Sequence, residues 1–168
     1  DLLALGVATH YVPSARCGAL LEELSALEEP DHKAIQAIAG RYHVAPGGDA
    51  PLSQHLGCIN DCFDTEDIQE VTARLSGYDK DFAQQASRLI ESRAPLSLAV
   101  TFQHCRYAEN ADFDTVINRE HHIAARFMRE PCFYEGVRAM LIDKDKTPDW
   151  QPGCLADIDA QLLNPFFT

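Results

Sequence analysis

The chain has 168 residues, enough for one domain or for part of a larger protein. Apolar residues make up 46% and charged residues 24%, an ordinary globular balance that argues against disorder, collagen and coiled coil. With 14 basic and 26 acidic residues the net charge is -12, so phosphate backbones and anionic membranes repel the chain. Neither nucleic acid nor a membrane is therefore expected as a partner. No apolar run approaches the length of a membrane span.

The chain starts Asp1-Leu2-Leu3 without Met and without a basic-then-apolar leader, the look of a fragment or a processed piece. Val7-Ala8-Thr9-His10-Tyr11-Val12 is the sole alternating stretch, readable as a short strand or as an extended lead-in that stops at Pro13. Ser14 is then an expected N-cap. Leu20, Leu21, Leu24 and Leu27 share one helix face that Pro30 ends. Asp31 caps a second helix with the stripe Ile35, Ile38 and Tyr42. Residues 46–51, Pro-Gly-Gly-Asp-Ala-Pro, break both helix and sheet and form a loop.

Beyond the loop, Leu52, Leu56, Ile59 and Phe63 make a short helix face. Asp64 or Thr65 is expected to cap the next helix (Ile68, Val71, Leu75), and Gly77 to close it. Phe82, Ala86, Leu89 and Ile90 mark a helix that ends near Ala94. Pro95 suits the first turn of a successor whose face is Leu98, Phe102 and Cys105. A longer helix follows Asp112 or Asp114, with the stripe Val116, Ile117, Ala124, Phe127 and Met128. After Pro131 comes a last firm helix carrying Phe133, Val137, Met140 and Leu141. A charged exit at 143–146 and a loop at 147–152 follow it. Leu155, Ile158, Leu162 and Phe166 suggest one terminal helix. The fold class is mainly α: eight or nine short amphipathic helices and at most one short strand near 7–12.

Local chemistry is sparse. His121 and His122 point about 100° apart on a helix and lack the spacing of a metal site; His121 is expected to be partly buried and hydrogen-bonded. Cys58 and Cys62 flank a core stripe and read as packing residues. The six Cys form no CxxC pair and read as free thiols of a reducing compartment. His104-Cys105 diverge on a helix, with no third group to orient them. Nucleophile-elbow and phosphate-loop motifs are absent. No catalytic or metal-binding residue is assigned.

One run is specific: Phe133-Tyr134-Glu135-Gly136-Val137-Arg138-Ala139-Met140-Leu141-Ile142-Asp143-Lys144-Asp145-Lys146-Thr147-Pro148-Asp149-Trp150. It closely resembles the C-terminal signature of 3-hydroxyisobutyryl-CoA hydrolases, in the crotonase (enoyl-CoA hydratase/isomerase) superfamily. Gly6-Val7-Ala8-Thr9-His10-Tyr11-Val12-Pro13-Ser14, Ile59-Asn60-Asp61-Cys62-Phe63 and Ala94-Pro95-Leu96-Ser97-Leu98-Ala99-Val100-Thr101 resemble family segments in the same order, and Arg119-Glu120 and Phe127-Met128-Arg129 fit the helix between.

The resemblance implies that this is the C-terminal helical half of a crotonase-like protein. Residues 1–13 would leave a missing N-terminal core and residues 14–168 would form the helical domain. That core would hold the catalytic carboxylates and the two oxyanion-binding N–H groups, so the chain alone is expected to be inactive. The complete protein would hydrolyse a 3-hydroxyacyl-CoA thioester in valine breakdown, with coenzyme A as part of the substrate and no separate cofactor. Its compartment would be the bacterial cytoplasm or the mitochondrial matrix.

Related members place a basic residue after the Glu-Gly helix near the adenosine phosphates. Lys144 is the closest match, off by one in register; Lys146 and Arg138 stand near it. Phe133 and Trp150 would line the acyl or adenine pocket, although core packing is the more ordinary place for Phe133. The alternatives are a hydratase or isomerase of the same superfamily, and a non-catalytic helical docking module. A helical cover cut from its core would expose an apolar patch, so a homo-oligomer is expected.

Overall fold

The computed structural model describes residues 1–78 and 80–168. Among them are nine α-helices and no strand. Contacts divide the chain into two compact units, Asp1–Gly57 and Cys58–Thr168.

In the first unit, helices α1 (Ser14–Ser25) and α2 (His32–Tyr42) pack as a pair. Asp31 caps α2 as expected, its carboxylate accepting from the Ala34 N–H at 2.6 Å. Ser14 does not cap α1. Pro13 holds that position, and its carbonyl accepts the Arg16 N–H at 2.8 Å. Arg16 then reaches the far end of α2, donating to the carbonyls of Arg41 (3.1 Å) and Tyr42 (3.3 Å) and lying over the Tyr42 ring. A guanidinium satisfies free carbonyls and suits the negative end of the helix dipole. The stretch 7–12 is extended and makes no strand. The Val7 and Ala8 N–H groups turn back to the Leu2 carbonyl, and Tyr11 pairs with the exit of α2, its N–H donating to His43 Nδ1 at 2.9 Å and its carbonyl accepting the Val44 N–H at 3.0 Å. The expected face after the loop is built in two parts, a 3-10 turn at Pro51–His55 and then α3 (Leu56–Phe63).

The second unit has two cores. In one, Cys58 and Cys62 of α3 meet Val71 and Leu75 of α4 (Ile68–Ser76) and Ala83 of α5 (Asp81–Glu91). The other joins Leu96 and Val100 of α6 (Pro95–Ala108), Cys132 of α8 (Pro131–Val137) and Phe166. Ile123 and Phe127 of α7 (Phe113–Phe127) and Trp150 pack around it.

Helix α6 lies between the two cores, which corrects the expected single stripe of Leu98, Phe102 and Cys105. Phe102 faces the first core, Leu96 and Val100 face the second, and Cys105 is exposed. A helix with partners on two sides is apolar around most of its circumference. Helix α7 is also rotated from its expected stripe: Ile117 and Met128 are exposed. Its inward line is Val116, Arg119, Ile123 and Phe127, because the Arg119 guanidinium stacks on Tyr107 (3.2 Å to the ring centre) and approaches Phe167 (5.5 Å).

Asp67 caps α4, accepting from the Gln69 N–H at 2.8 Å, where Asp64 or Thr65 was expected. Thr65 is buried and serves the same turn, donating to Glu70 and accepting the Asp67 N–H at 3.3 Å. Asp112 caps α7, with the Thr115 N–H at 2.9 Å and hydroxyl at 2.8 Å. The single terminal helix expected from 155 to 166 is three short pieces: 3-10 turns at Leu155–Asp157 and Asn164–Phe166 around α9 (Ala160–Leu163).

Candidate functional site

The specific run at 133–150 folds back on itself. Pro131 opens α8, and a π turn at Arg138–Ile142 extends it. Glu135 and Arg138 sit one helical turn apart. Arg138 grips Glu135 with two parallel bonds, Nε to Oε2 at 2.8 Å and Nη2 to Oε1 at 2.7 Å. Its Nη1 also donates to Asp143 at 2.7 Å and Asp145 at 2.6 Å, and Nη2 reaches the Thr147 carbonyl at 3.3 Å. Glu135 Oε1 accepts the Asp149 N–H at 2.7 Å. One guanidinium thus ties residues 143–149 onto α8; its planar fork suits several carboxylates at once.

The electrostatics follow. Arg138, helped by the Asp149 N–H, holds the Glu135 carboxyl down to about 2. The same guanidinium, with the Thr147 N–H, lowers Asp145. Arg138 itself is raised, chiefly by Glu135 and then by Asp145 and Asp143.

Gly136 explains the other half of the Glu-Gly pair. A Cβ there would lie 3.3 Å from Trp150 Cη2, so a side chain would push the indole away. Trp150 packs against the second core rather than standing free as a pocket wall.

Aspartate and lysine alternate from 143 to 146. The aspartates turn in to Arg138, whereas Lys144 (φ 57°) and Lys146 (φ 58°) are exposed and left-handed. That backbone region suits Gly and is unfavourable for a side chain such as Lys. Two backbone bonds fix the turn: the Asp143 N–H closes the π turn on the Arg138 carbonyl at 2.8 Å and the Lys146 N–H donates to the Ala139 carbonyl at 3.1 Å. Among the described residues neither ammonium has an ion-pair partner. The acids that flank them in sequence are spent on Arg138, an arrangement that a linear reading of the charges misses.

Arg138, a sequence candidate for phosphate contact, therefore acts as a structural hub whose charge is matched by three carboxylates. Phe133 is not a core residue. It is 38% exposed and stands edge-on to Tyr134; Met140, Leu141 and Ile142 of the π turn are exposed as well. A cleft of about 480 Å³ opens next to the hub, between Tyr134, Glu135, Arg138, Asp149 and Gln151.

The remaining candidates hold no poised chemistry. Cys58 and Cys62 are buried, with sulfurs 4.0 Å apart, and burial followed by the Cys58 contact pushes the Cys62 thiol up to about 11. A thiol held protonated is a poor nucleophile. His104 faces Glu120 at 3.4 Å, away from exposed Cys105. His121 is exposed, not partly buried, because α7 turns Arg119 and Ile123 inward in its place. His122 contacts the Pro165 carbonyl at 3.2 Å. Among the described residues no three His, Cys, Asp or Glu gather as metal ligands, and no helix is long and apolar enough to cross a membrane.

Comparison with known proteins gives a consistent result. The family described as Enoyl-CoA hydratase/isomerase matches residues 1–167. The mitochondrial 3-hydroxyisobutyryl-CoA hydrolase of Homo sapiens is 32% identical over 99% of this chain and 44% of its own length. That of Dictyostelium discoideum is 32% identical over 96% of this chain and 43% of its own. The chain thus spans a little under half the length of these relatives. Among solved structures, an enoyl-CoA hydratase from Rhodobacter sphaeroides matches with a TM-score of 0.78 and 26% identity, over 100% of this chain and 47% of its own. A carnitinyl-CoA dehydratase from Mycobacterium thermoresistibile matches with a TM-score of 0.79 and 24% identity, over 100% and 46%.

Proposed function

The chain belongs to the enoyl-CoA hydratase/isomerase family, and from that premise we propose that it is the helical cover of an acyl-CoA thioester hydrolase acting on 3-hydroxyisobutyryl-CoA or a close analogue. The observation that carries this reading is the 133–150 turn. Three of its four acids are consumed by Arg138, and its two lysines stand without an ion-pair partner among the described residues, in a conformation that folding alone disfavours. Lys144 and Lys146 supply point charges to the phosphates of coenzyme A. Phe133 and the apolar residues of the π turn lie against the less polar part of that ligand. Arg138 positions the turn and touches no substrate.

The reacting carboxylate and the amide pair for the thioester oxyanion belong to polypeptide outside this chain. Preorganised donors of that kind usually supply a large share of acyl-transfer catalysis. The cover excludes water from the acyl group and contributes binding. Coenzyme A enters as the thioester part of the substrate and leaves as the free thiol released by hydrolysis, and no separate cofactor takes part. In a eukaryote the compartment would be mitochondrial, as for the relatives named above; in a bacterium it would be the cytoplasm.

The hydrolase branch is preferred to the hydratase branch because the run 133–150 resembles the hydrolase signature and the hydrolases of Homo sapiens and Dictyostelium discoideum are 32% identical to the chain. The test joins this chain to a hydrolase core and compares Lys144→Gln/Lys146→Gln with the parent. KM for the CoA thioester should rise about ten-fold with kcat nearly unchanged, the pattern of lost uniform binding. An unchanged KM would remove the lysines from the account.

A further inference from the structure

A second feature of the Cys58–Thr168 unit shares no lining residue with the cleft at Glu135. A groove of about 570 Å³ runs between α3, α4, α5 and α6, walled by Phe63, Ile68, Ile90, Leu98 and Phe102. A smaller pocket of about 270 Å³ adjoins it and shares Ile90, Arg93 and Leu98. Its far rim includes Leu155, whose carbonyl is tied to α4 by the Gln69 side chain at 3.2 Å. Arg93 thus stands where the two lobes meet.

The charged groups along the groove are held in different ways. Arg106 is matched by Glu66 and Glu109. Glu91, on the smaller lobe, accepts a bond from the Ser87 hydroxyl at 2.9 Å. Arg93 has no ion-pair partner among the described residues, although the chain carries 26 acidic groups. Pockets of about 300–1,000 Å³ with apolar walls and a few placed polar groups are the usual sites of small ligands. A guanidinium at the edge of the apolar groove, where it opens into the smaller and more polar lobe, suits a planar anion joined to a hydrocarbon chain. The geometry points to a binding site for a medium-chain fatty carboxylate, its tail in the larger lobe and its carboxylate on Arg93.

Cys105, exposed on the wall of the larger lobe, reports on occupancy. Alkylation by iodoacetamide is followed at each cysteine by peptide mass spectrometry, with decanoate below its micelle concentration as ligand. Cys17, in the Asp1–Gly57 unit, is the internal reference. At a decanoate concentration four times its Kd, labelling of Cys105 should slow about five-fold, while Cys17 is unaffected. Decanol should protect much less, and Arg93→Gln should abolish protection by decanoate. Thr101→Trp, an exposed substitution on the groove wall, should slow labelling of Cys105 without ligand and block the decanoate effect. Absence of protection, equal protection by decanol, or full protection in Arg93→Gln would overturn the site. Protection of Cys105 that grows with protein concentration and needs no decanoate would also overturn it, since a second copy would then be the occupant.

Discussion

Phe166 lies two residues before Thr168 and is fully buried, against Leu96, Val100, Cys132 and Phe127, whose ring centre is 4.7 Å away. Phe166→Ala should be the most damaging truncation in the second core. Losing the buried ring forfeits roughly 1.5–3 kcal/mol of transfer free energy. An unrelaxed cavity of about 100 Å³ adds roughly 2 kcal/mol at the usual volume coefficient. The expected cost is about 4 kcal/mol, inside the range of roughly 3–5 for buried Phe→Ala. With a urea slope of about 2 kcal/mol/M, the midpoint should fall by about 2 M. The chain has one Trp, Trp150, and it packs in the same core, so its fluorescence follows this transition without interference. Leu141→Ala, at a residue 67% exposed, is the control, with an expected change below about 0.5 kcal/mol. A midpoint shift under about 0.5 M for Phe166→Ala would refute the packing argument, because a ring that costs little to remove is not in a closed core.

Other outcomes follow from the turn. Glu135 titrates at about 2 in the folded chain, below an unfolded value of about 4.3, so its contribution is present above about pH 5 and is lost as pH falls through 2. Arg138→Met should lower the urea midpoint at pH 7 and also reduce its further fall between pH 5 and pH 3; an equally steep fall in the variant would contradict the hub role. Gly136→Val should displace the Trp150 indole, which already sits within 3.5 Å of where a Cβ would be, giving a red-shifted emission and a lower melting temperature. Unchanged emission would mean that the close approach is not required. Lys144→Gly should raise stability by roughly 0.5–1 kcal/mol, as relief of a left-handed backbone does, while weakening binding of a CoA thioester in a protein that includes the core. A loss of stability would show that the left-handed residue is held without strain.

Much of the fold was legible because the helices obey local rules. Asp31, Pro95 and Asp112 stand at helix ends for reasons of capping and backbone chemistry that need no distant partner, whereas Gly77 ends its helix in a right-handed conformation (φ -80°) that does not require glycine. The errors arise where tertiary contacts override the local pattern. The Arg119 guanidinium stacks on aromatic rings and rotates α7 away from its aliphatic stripe. Two cores on opposite sides leave α6 without a single face. Thr65 is buried inside the turn it was expected to cap, and Asp67 takes the cap.

The site was legible only as a motif. The run 133–150 could be matched to a family from the residues, but not the direction in which each charge points. A pairing five and seven residues along, as Arg138 makes with Asp143 and Asp145, has no helical periodicity to announce it. The groove at Arg93 left no motif either, because its walls come from four helices.

The central claim, that these helices cover a reaction whose catalytic groups lie on other polypeptide, is tested most directly by thiol release from 3-hydroxyisobutyryl-CoA. The isolated 168-residue chain should give a rate indistinguishable from buffer, and the same chain joined to a hydrolase core should turn the thioester over. Sustained turnover by the isolated chain, retained after repurification and lost on unfolding, would contradict the account.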